Sequence, residues 1–239
     1  MNDNKTKNQE VVIAEMAQAG LHLGRRKSKG HPKMKQYIYA IQNGFQIINL
    51  SKTAECLEAA LNFISETVKK GGAILFVGTA PSAKHIIREA AIAAGMPYAS
   101  GRWVGGTLTN FKVILSRVNY YKDLLEKKET GELQKYTKKE QLEFDKEIAK
   151  LGEKFGGIVG LEKMPAAVFI ADAKNDEIVV REARRANVPI VAIVNTDSDP
   201  SLLDWPIPAN SGAASAIKYI IDKVVATIKK AKSENQVLS

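Results

Sequence analysis

The chain has 239 residues, 45% of them hydrophobic, enough to bury one full α/β core without a second domain. Thirty-five Lys and Arg against 26 Asp and Glu give a formal charge of +9 at pH 7, which makes a polyanion the first partner to consider. Cys56 is the only cysteine, which excludes an internal disulfide and a cysteine-rich metal cluster and fits a reducing cytosol.

The first ten residues, MNDNKTKNQE, are polar and no long apolar run follows, so neither a signal peptide nor a membrane span is expected. Residues 1 to 10 read as disordered, and residues 11 to 19 as a short helix stopped by Gly20. From Met16 through Ala54 there is no acidic residue, while Arg25, Arg26, Lys27, Lys29, Lys33 and Lys35 crowd into HLGRRKSKGHPKMKQ. Gly24, Gly30 and Pro32 keep this stretch from being a helix, so it is expected as an extended arm or loop. YIYAI, Asn43-Gly44 and FQIINL read as a β-hairpin, because Asn-Gly tolerates the positive φ of a type I′ turn. Ser51 is positioned to cap the next helix, whose core stripe is Leu57, Leu61, Ile64 and Val68.

Residues 71 to 110 spell out a βαβ unit. Ala73 to Val77 form a continuously apolar run between glycines, as in a parallel strand covered on both faces. Ala83, Ile86, Ile87, Ala90 and Ala94 then recur at helical spacing up to Gly95. The unit repeats: aligning Phe76 with Phe169 places Arg88-Glu89-Ala90 on Arg181-Glu182-Ala183. Two such units imply one parallel sheet with helices on both faces and binding loops at the carboxyl ends of the strands.

Between the units, Phe111, Ile114, Val118, Tyr121 and Leu125 step by three and four, as do Phe144, Ile148, Leu151 and Phe155 on the return. An antiparallel helical hairpin is expected, broken at Thr130-Gly131, with Thr137 and Glu140 as a capping box. Its nine lysines and nine acids between Lys122 and Lys154 make it neutral overall. After the second unit, DPSLLDWPIPAN carries three prolines and reads as an irregular loop. A final helix from about Ala213 bears Ile217, Ile220, Ile221, Val224, Val225 and Ile228, with a frayed lysine-rich tail.

Each candidate site has a plain structural alternative. FVGTAPSAK resembles a phosphate-binding turn, but it lacks the later glycines of GxGxxG and the GK[ST] of a Walker loop, so Gly78 reads better as a tight-turn glycine. In GRWVGGTLTN, Arg102 suits RNA phosphate and the glycines admit a close backbone, whereas Trp103 reads as a plug between hairpin and sheet. The basic segment, with no acids of its own, favours nucleic acid over self-pairing. His22, His31 and His85 show no metal-ligand spacing. Asp172, Asp197, Asp199 and Asp204 could gather at the strand ends as a Mg²⁺ or acid-base site, but Asp197 and Asp199 read as turn formers before Pro200 and Asp172 as the end of a strand, with no nucleophile and base pair beside them. Ser82 lacks the GxSxG elbow, and Cys56 falls on a structural helix.

In order, AGLHLG, PKMKQYIY, NGFQIINLSKT, FVGT, GMPY, RWVGGTLTNFK, EARRANVPIVAIVNTDSDP and IPAN cover about residues 12 to 225. In this set the chain resembles one family, the bacterial type of small-subunit ribosomal protein two. The resemblance implies a flavodoxin-like α/β body with a protruding coiled-coil hairpin, seated where head meets body of the small subunit. It implies contacts with small-subunit ribosomal RNA and with neighbouring proteins, including the large messenger-binding protein one, and a ribosome-bound cytoplasmic location. No catalysis, cofactor, metal, membrane or small-molecule substrate is expected. By position, the RNA-facing role falls on Arg25, Arg26, Lys27, Lys29, His31, Lys33 and Lys35, and on Arg102, Thr109 and Asn110 at the hairpin base. Where bacterial members usually read HQTRRWN this chain has RRKSKGH, with Gly30 in place of the tryptophan, and IPANSGAAS stands where a more acidic stretch is usual. The expected division is one α/β domain from 1–106 and 158–230, a helical insertion at 107–157 and a tail at 231–239. The rival reading is a nucleotide-binding α/β enzyme using the loops after Val77 and Ala171, and the hairpin is open to docking protein as well as RNA.

Overall fold

The computed structural model describes the backbone of residues 2–238 and the side chains of residues 10–235. Three runs without a polar face, β4 (Ile74–Val77), β6 (Ala167–Ile170) and β7 (Ile190–Val194), are buried at every position, so they occupy the middle of a sheet covered on both sides. With β5 (Tyr98–Ala99) and β8 (Trp205–Pro208) at the edges, the parallel order is β5-β4-β6-β7-β8. Numbered within the sheet this is 2-1-3-4-5, a doubly wound order. Phe76 and Phe169, equivalent positions of the two repeats, are register partners on β4 and β6, their ring centroids 5.4 Å apart.

Strand alternation divides the core in two. Phe76, Phe169, Val191, Ile193 and Ile207 face one layer, made by α1 (Asn2–Gln18), α2 (Leu50–Lys69), α3 (Lys84–Ala94) and α7 (Ala214–Leu238). Leu75, Val77, Val168, Ile170 and Ala192 face the other, where α6 (Glu177–Arg185) packs beside the roots of α4 (Phe111–Glu129) and α5 (Lys138–Phe155). Further along this antiparallel pair, Tyr121, Leu124, Leu133 and Ile148 make a small core of their own. Thr137 and Glu140 close the capping box that starts α5.

A second, antiparallel sheet holds β1 (Leu23–Arg26), β3 (Phe45–Ile48) and β2 (Ile38–Gln42) in the order β1-β3-β2. Asn43 and Gly44 both take positive φ, 50° and 79°, as the hairpin turn requires.

Several expectations are corrected. Residues 2 to 10 are not irregular but continue α1, each extra residue adding one backbone bond once Met16 has anchored the helix in the core; Met1 lies outside the described residues. The cap of α2 is Asn49 rather than Ser51, its Oδ1 accepting from the amides of Ser51 and Lys52 at 3.0 and 3.3 Å. DPSLLDWPIPAN is not wholly irregular: it contains β8. Prolines are tolerated there because Pro206 and Pro208 share a strand phase and turn their missing N–H groups to the open edge. Ala209, one residue further on, donates to Val194 O at 3.1 Å. The tail does not fray at Ala231. It stays helical to Leu238, where Lys232 Nζ donates to the carbonyls of Ala94 and Gly95 (2.8 and 3.1 Å) and Asn235 to that of Lys69 (2.9 Å), satisfying the ends of α3 and α2.

Phe169→Ala is expected to cost about 3–5 kcal/mol in urea unfolding with little change in m-value. Lys232→Met, which removes a charge from a helix end, is expected to cost about 1 kcal/mol or less in the same assay.

Candidate nucleic-acid interface

Glu182 lies on the inward side of α6 and is nearly buried, so its carboxylate needs donors. It finds them in the glycine-rich loop ahead of α4. Oε1 accepts from Trp103 Nε1 (3.1 Å) and the Gly106 amide (2.8 Å). Oε2 accepts from the Leu108 amide (3.1 Å), and more loosely from the Thr109 amide (3.5 Å) and hydroxyl (3.4 Å). Gly106 sits at φ +90°, which lets successive amides converge on one anion. Trp103, expected as a plug between hairpin and sheet, is turned inward onto α6 and packs against the second core layer, and the Thr109 hydroxyl faces the protein. Arg102 is exposed beside this ring, and Asn110 is the exposed cap residue of α4 with no side-chain bond of its own. Glu182 was missed as a candidate; the only sign of it was its place in the repeat against Glu89, which carries no chemical signal.

The basic segment is not a free arm. It enters as β1, and then makes two 3-10 turns, Lys27–Lys29 and Pro32–Tyr37. The amides of Arg25 and His31 donate to Thr196 Oγ1 (2.9 Å) and Thr196 O (2.8 Å), and that of Lys27 to Gly44 O (2.9 Å). Gly30 allows the close approach: a Cβ there would lie 2.5 Å from Gln46 Nε2, so a tryptophan could stand here only if Gln46 moved away.

Acids missing from the segment itself come from the loop after β7. Arg25 Nε lies 3.6 Å from Asp197, Lys33 Nζ 2.8 Å from Asp199, and His31 Nε2 4.0 Å from the same carboxylate. The expected absence of pairing is therefore corrected for Arg25 and Lys33, whose partners lie more than 160 residues away in sequence. Arg26, Lys27, Lys29 and Lys35 are exposed and form no ion pair among the described residues; the Arg26 guanidinium sits 5.7 Å from the Phe45 ring centroid. Together these four make a cationic ridge held to the body from both sides.

The crevice where a doubly wound sheet takes its ligand lies between the carboxyl ends of β4 and β6. Here it holds the protein's own anion. Thr79 donates to Asp176 through its hydroxyl and through its amide (3.3 Å), and Asn175 Nδ2 donates to Thr79 Oγ1 at 2.7 Å. Burial pushes the Asp176 carboxyl above its ordinary range against the pull of those Thr79 bonds, and burial likewise raises Asp172. A Cβ on Gly78 would come within 2.6 Å of Ile87 Cγ1, so that glycine serves the packing of α3 on the sheet. Asp172 accepts from the amides of Lys174 and Asn175 (3.0 and 3.3 Å), Asp199 from that of Ser201 (2.9 Å), and Asp204 from that of Ile190 (2.9 Å). Among the described residues no group of three metal-ligating side chains occurs, and no helix is long and apolar enough to cross a membrane.

Fold and surface together define a class: a doubly wound scaffold with its ligand crevice filled by its own carboxylate and its cations displayed outside. The comparisons agree in kind. The family model "Ribosomal protein S2" matches residues 16–231. The chain is similar to the small ribosomal subunit protein uS2 of Coprothermobacter proteolyticus, 42% identical over 95% of this chain and 84% of the relative. It is also similar to the uS2 proteins of Thermus thermophilus (41% identical; 93% and 87%) and Dictyoglomus thermophilum (41%; 93% and 90%). This chain belongs to the ribosomal protein S2 family, whose members are structural and non-catalytic.

Glu182→Ala strands several buried amides and is expected to cost about 3 kcal/mol, with Glu182→Gln losing about half as much; hydrogen exchange at Gly106 and Leu108 should speed up in both. Lys33, hydrogen-bonded to Asp199, holds that carboxyl well below the usual carboxylate range. Its folded value lies below its unfolded one. The stability it contributes is therefore present above the ordinary carboxylate range and is lost as pH falls through the depressed value. In Lys33→Met the Asp199 titration followed by NMR should move up toward the ordinary range; an unmoved midpoint would show that Ser201 alone sets it.

Proposed function

We propose that this chain is a non-catalytic structural constituent of the small ribosomal subunit that binds ribosomal RNA. The observation that carries the reading is the ridge of Arg26, Lys27, Lys29 and Lys35: exposed cations without acidic partners among the described residues, on backbone pinned to a rigid body. Phosphate contacts of this kind supply affinity, and the fixed backbone supplies register on a folded RNA. Arg25, His31 and Lys33 act next to them with part of their charge already answered by Asp197 and Asp199. Arg102, Thr109 and Asn110 form a second contact at the base of the helix pair, Thr109 through backbone geometry since its hydroxyl faces Glu182.

Similarity to proteins named for the small ribosomal subunit supports this placement, and the resemblance of the motifs supports a seat at the junction of head and body. On the same footing, the chain helps to anchor the large messenger-binding protein one, with the α4 and α5 pair as a coiled coil projecting from one α/β domain. The protein works ribosome-bound in the cytoplasm.

The test is rebinding to purified small subunits lacking this chain. Replacing Arg26, Lys27, Lys29 and Lys35 by Gln should flatten the slope of log affinity against log salt by about 3 and lower occupancy at moderate salt. Replacing Arg25 and Lys33 should do less per residue. Wild-type occupancy in the fourfold variant would refute the assignment.

A further inference from the structure

The helix pair is neutral between Lys122 and Lys154, yet its charges are sorted in space. Its ion pairs Asp123–Lys127 and Lys128–Asp145 sit toward the far end of α4 and its opposite on α5. At the root of α5 the sorting is different. A recess of about 370 Å³ opens between α3, the loop after β5 and the end of α5, and Lys84, Arg88, Arg102 and Lys154 all line it. Four cations arrive there from three separate stretches of chain, and among the described residues Glu153 is the single acid on its walls. The rest of the lining is polar backbone with Ser100, Tyr98 and Tyr121.

The recess is built by close approaches that need glycine. A Cβ on Gly152 would lie 2.8 Å from Tyr121 Oη, and one on Gly101 would lie 3.2 Å from Glu153 O. A larger residue at Gly101 would press the loop against α5, and one at Gly152 would press α5 against Tyr121 of α4.

The basic lining continues outward. Lys154 also lines a groove of about 640 Å³ between α4 and α5, together with Lys150 and Lys146. Residues four apart lie on one helix face, each step about 6 Å along the axis, so these three lysines form a single row leading into the recess. All six cations are exposed and none forms an ion pair among the described residues. Glu147 and Glu153 are the acids beside them. Cations left this close together repel one another, a cost that a bound polyanion removes.

We infer that this recess, with the lysine row of α5 leading into it, is a further RNA site that takes consecutive backbone phosphates of one strand, separate from the ridge at Arg26 to Lys35 and continuing from the contact at Arg102. The polar floor favours phosphate over the apolar face of a peptide helix. No base is read here; the site fixes the angle of the helix pair against the RNA. The inference rests on the proposed RNA-binding function and specifies a different surface for it.

The test uses the triple variant Lys84→Gln, Arg88→Gln, Lys154→Gln, which leaves the ridge and Arg102 untouched. On small subunits lacking this chain, the variant should rebind about tenfold or more weakly at moderate salt, with a salt slope flatter by about 2. The exchange Lys84→Arg, Arg88→Lys, Lys154→Arg should restore both, which separates charge from folding. In intact subunits, acetylation of Lys84 and Lys154 should be slower than in the free protein. A triple variant that rebinds like wild type, while the ridge variant fails, overturns this site and leaves the ridge reading standing. If neither variant weakens binding, both readings fall. Loss of affinity with an unchanged salt slope overturns phosphate neutralisation. Calorimetry of the free chain with inorganic phosphate and with a nucleoside triphosphate closes the alternative: binding abolished in the triple variant, with subunit binding intact, would reassign the recess to a small free anion.

Discussion

One carboxylate holds the helix pair to the body. Glu182, withdrawn from water on α6, is answered by the indole of Trp103, the amides of Gly106, Leu108 and Thr109 and the Thr109 hydroxyl. A charge in such a place is tolerable only if every one of these donors stays where it is. The loop from 101 to 110 therefore cannot drift relative to α6, and neither can the first turn of α4. Gly106 serves that convergence, and so does the aromatic residue that would otherwise look like a stacking platform.

The same device appears at the mouth of the sheet. In a doubly wound enzyme, the turn after the first strand offers amides to a phosphate. Here the Thr79 amide and hydroxyl are given to Asp176 instead. Two internal anions thus satisfy the inward-facing donors, and a further incoming anion at the crevice would meet a carboxylate. What remains for an external polyanion is the outside of the molecule, where cations stand unanswered on rigid supports. The fold is that of many nucleotide enzymes, and the site chemistry is the opposite.

How much could be read in advance depended on the range of the interaction involved. The apolar runs at β4, β6 and β7, the Asn43-Gly44 turn, the Thr137 and Glu140 cap and the stripe of α7 are written within a few residues of one another, and all appear in the structure. The strand at 205–208 was hidden because prolines argue against a strand until its place at an open edge is known. Asn49 was overlooked as a cap because Ser51, equally suitable by type, stood two residues later. The ordered tail depends on Lys232 and Asn235 reaching the ends of α3 and α2, a contact across more than 130 residues.

The candidate surface divides along the same line. Sequence alone determined that the chain is a basic, doubly wound α/β protein with a helical insertion, and that its cations cluster between residues 25 and 35, since composition and periodicity are local properties. Only the tertiary structure decided which of those cations are free. Asp197 and Asp199 come from the loop after β7 to meet Arg25 and Lys33, while Arg26, Lys27, Lys29 and Lys35 are left to solvent. It likewise sorted the stretch from Lys122 to Lys154, neutral in sum, into an ion-paired part and a cationic root. Net charge is a sum over the chain, whereas the field a partner meets depends on which side chains folding has already brought within a few ångströms of one another.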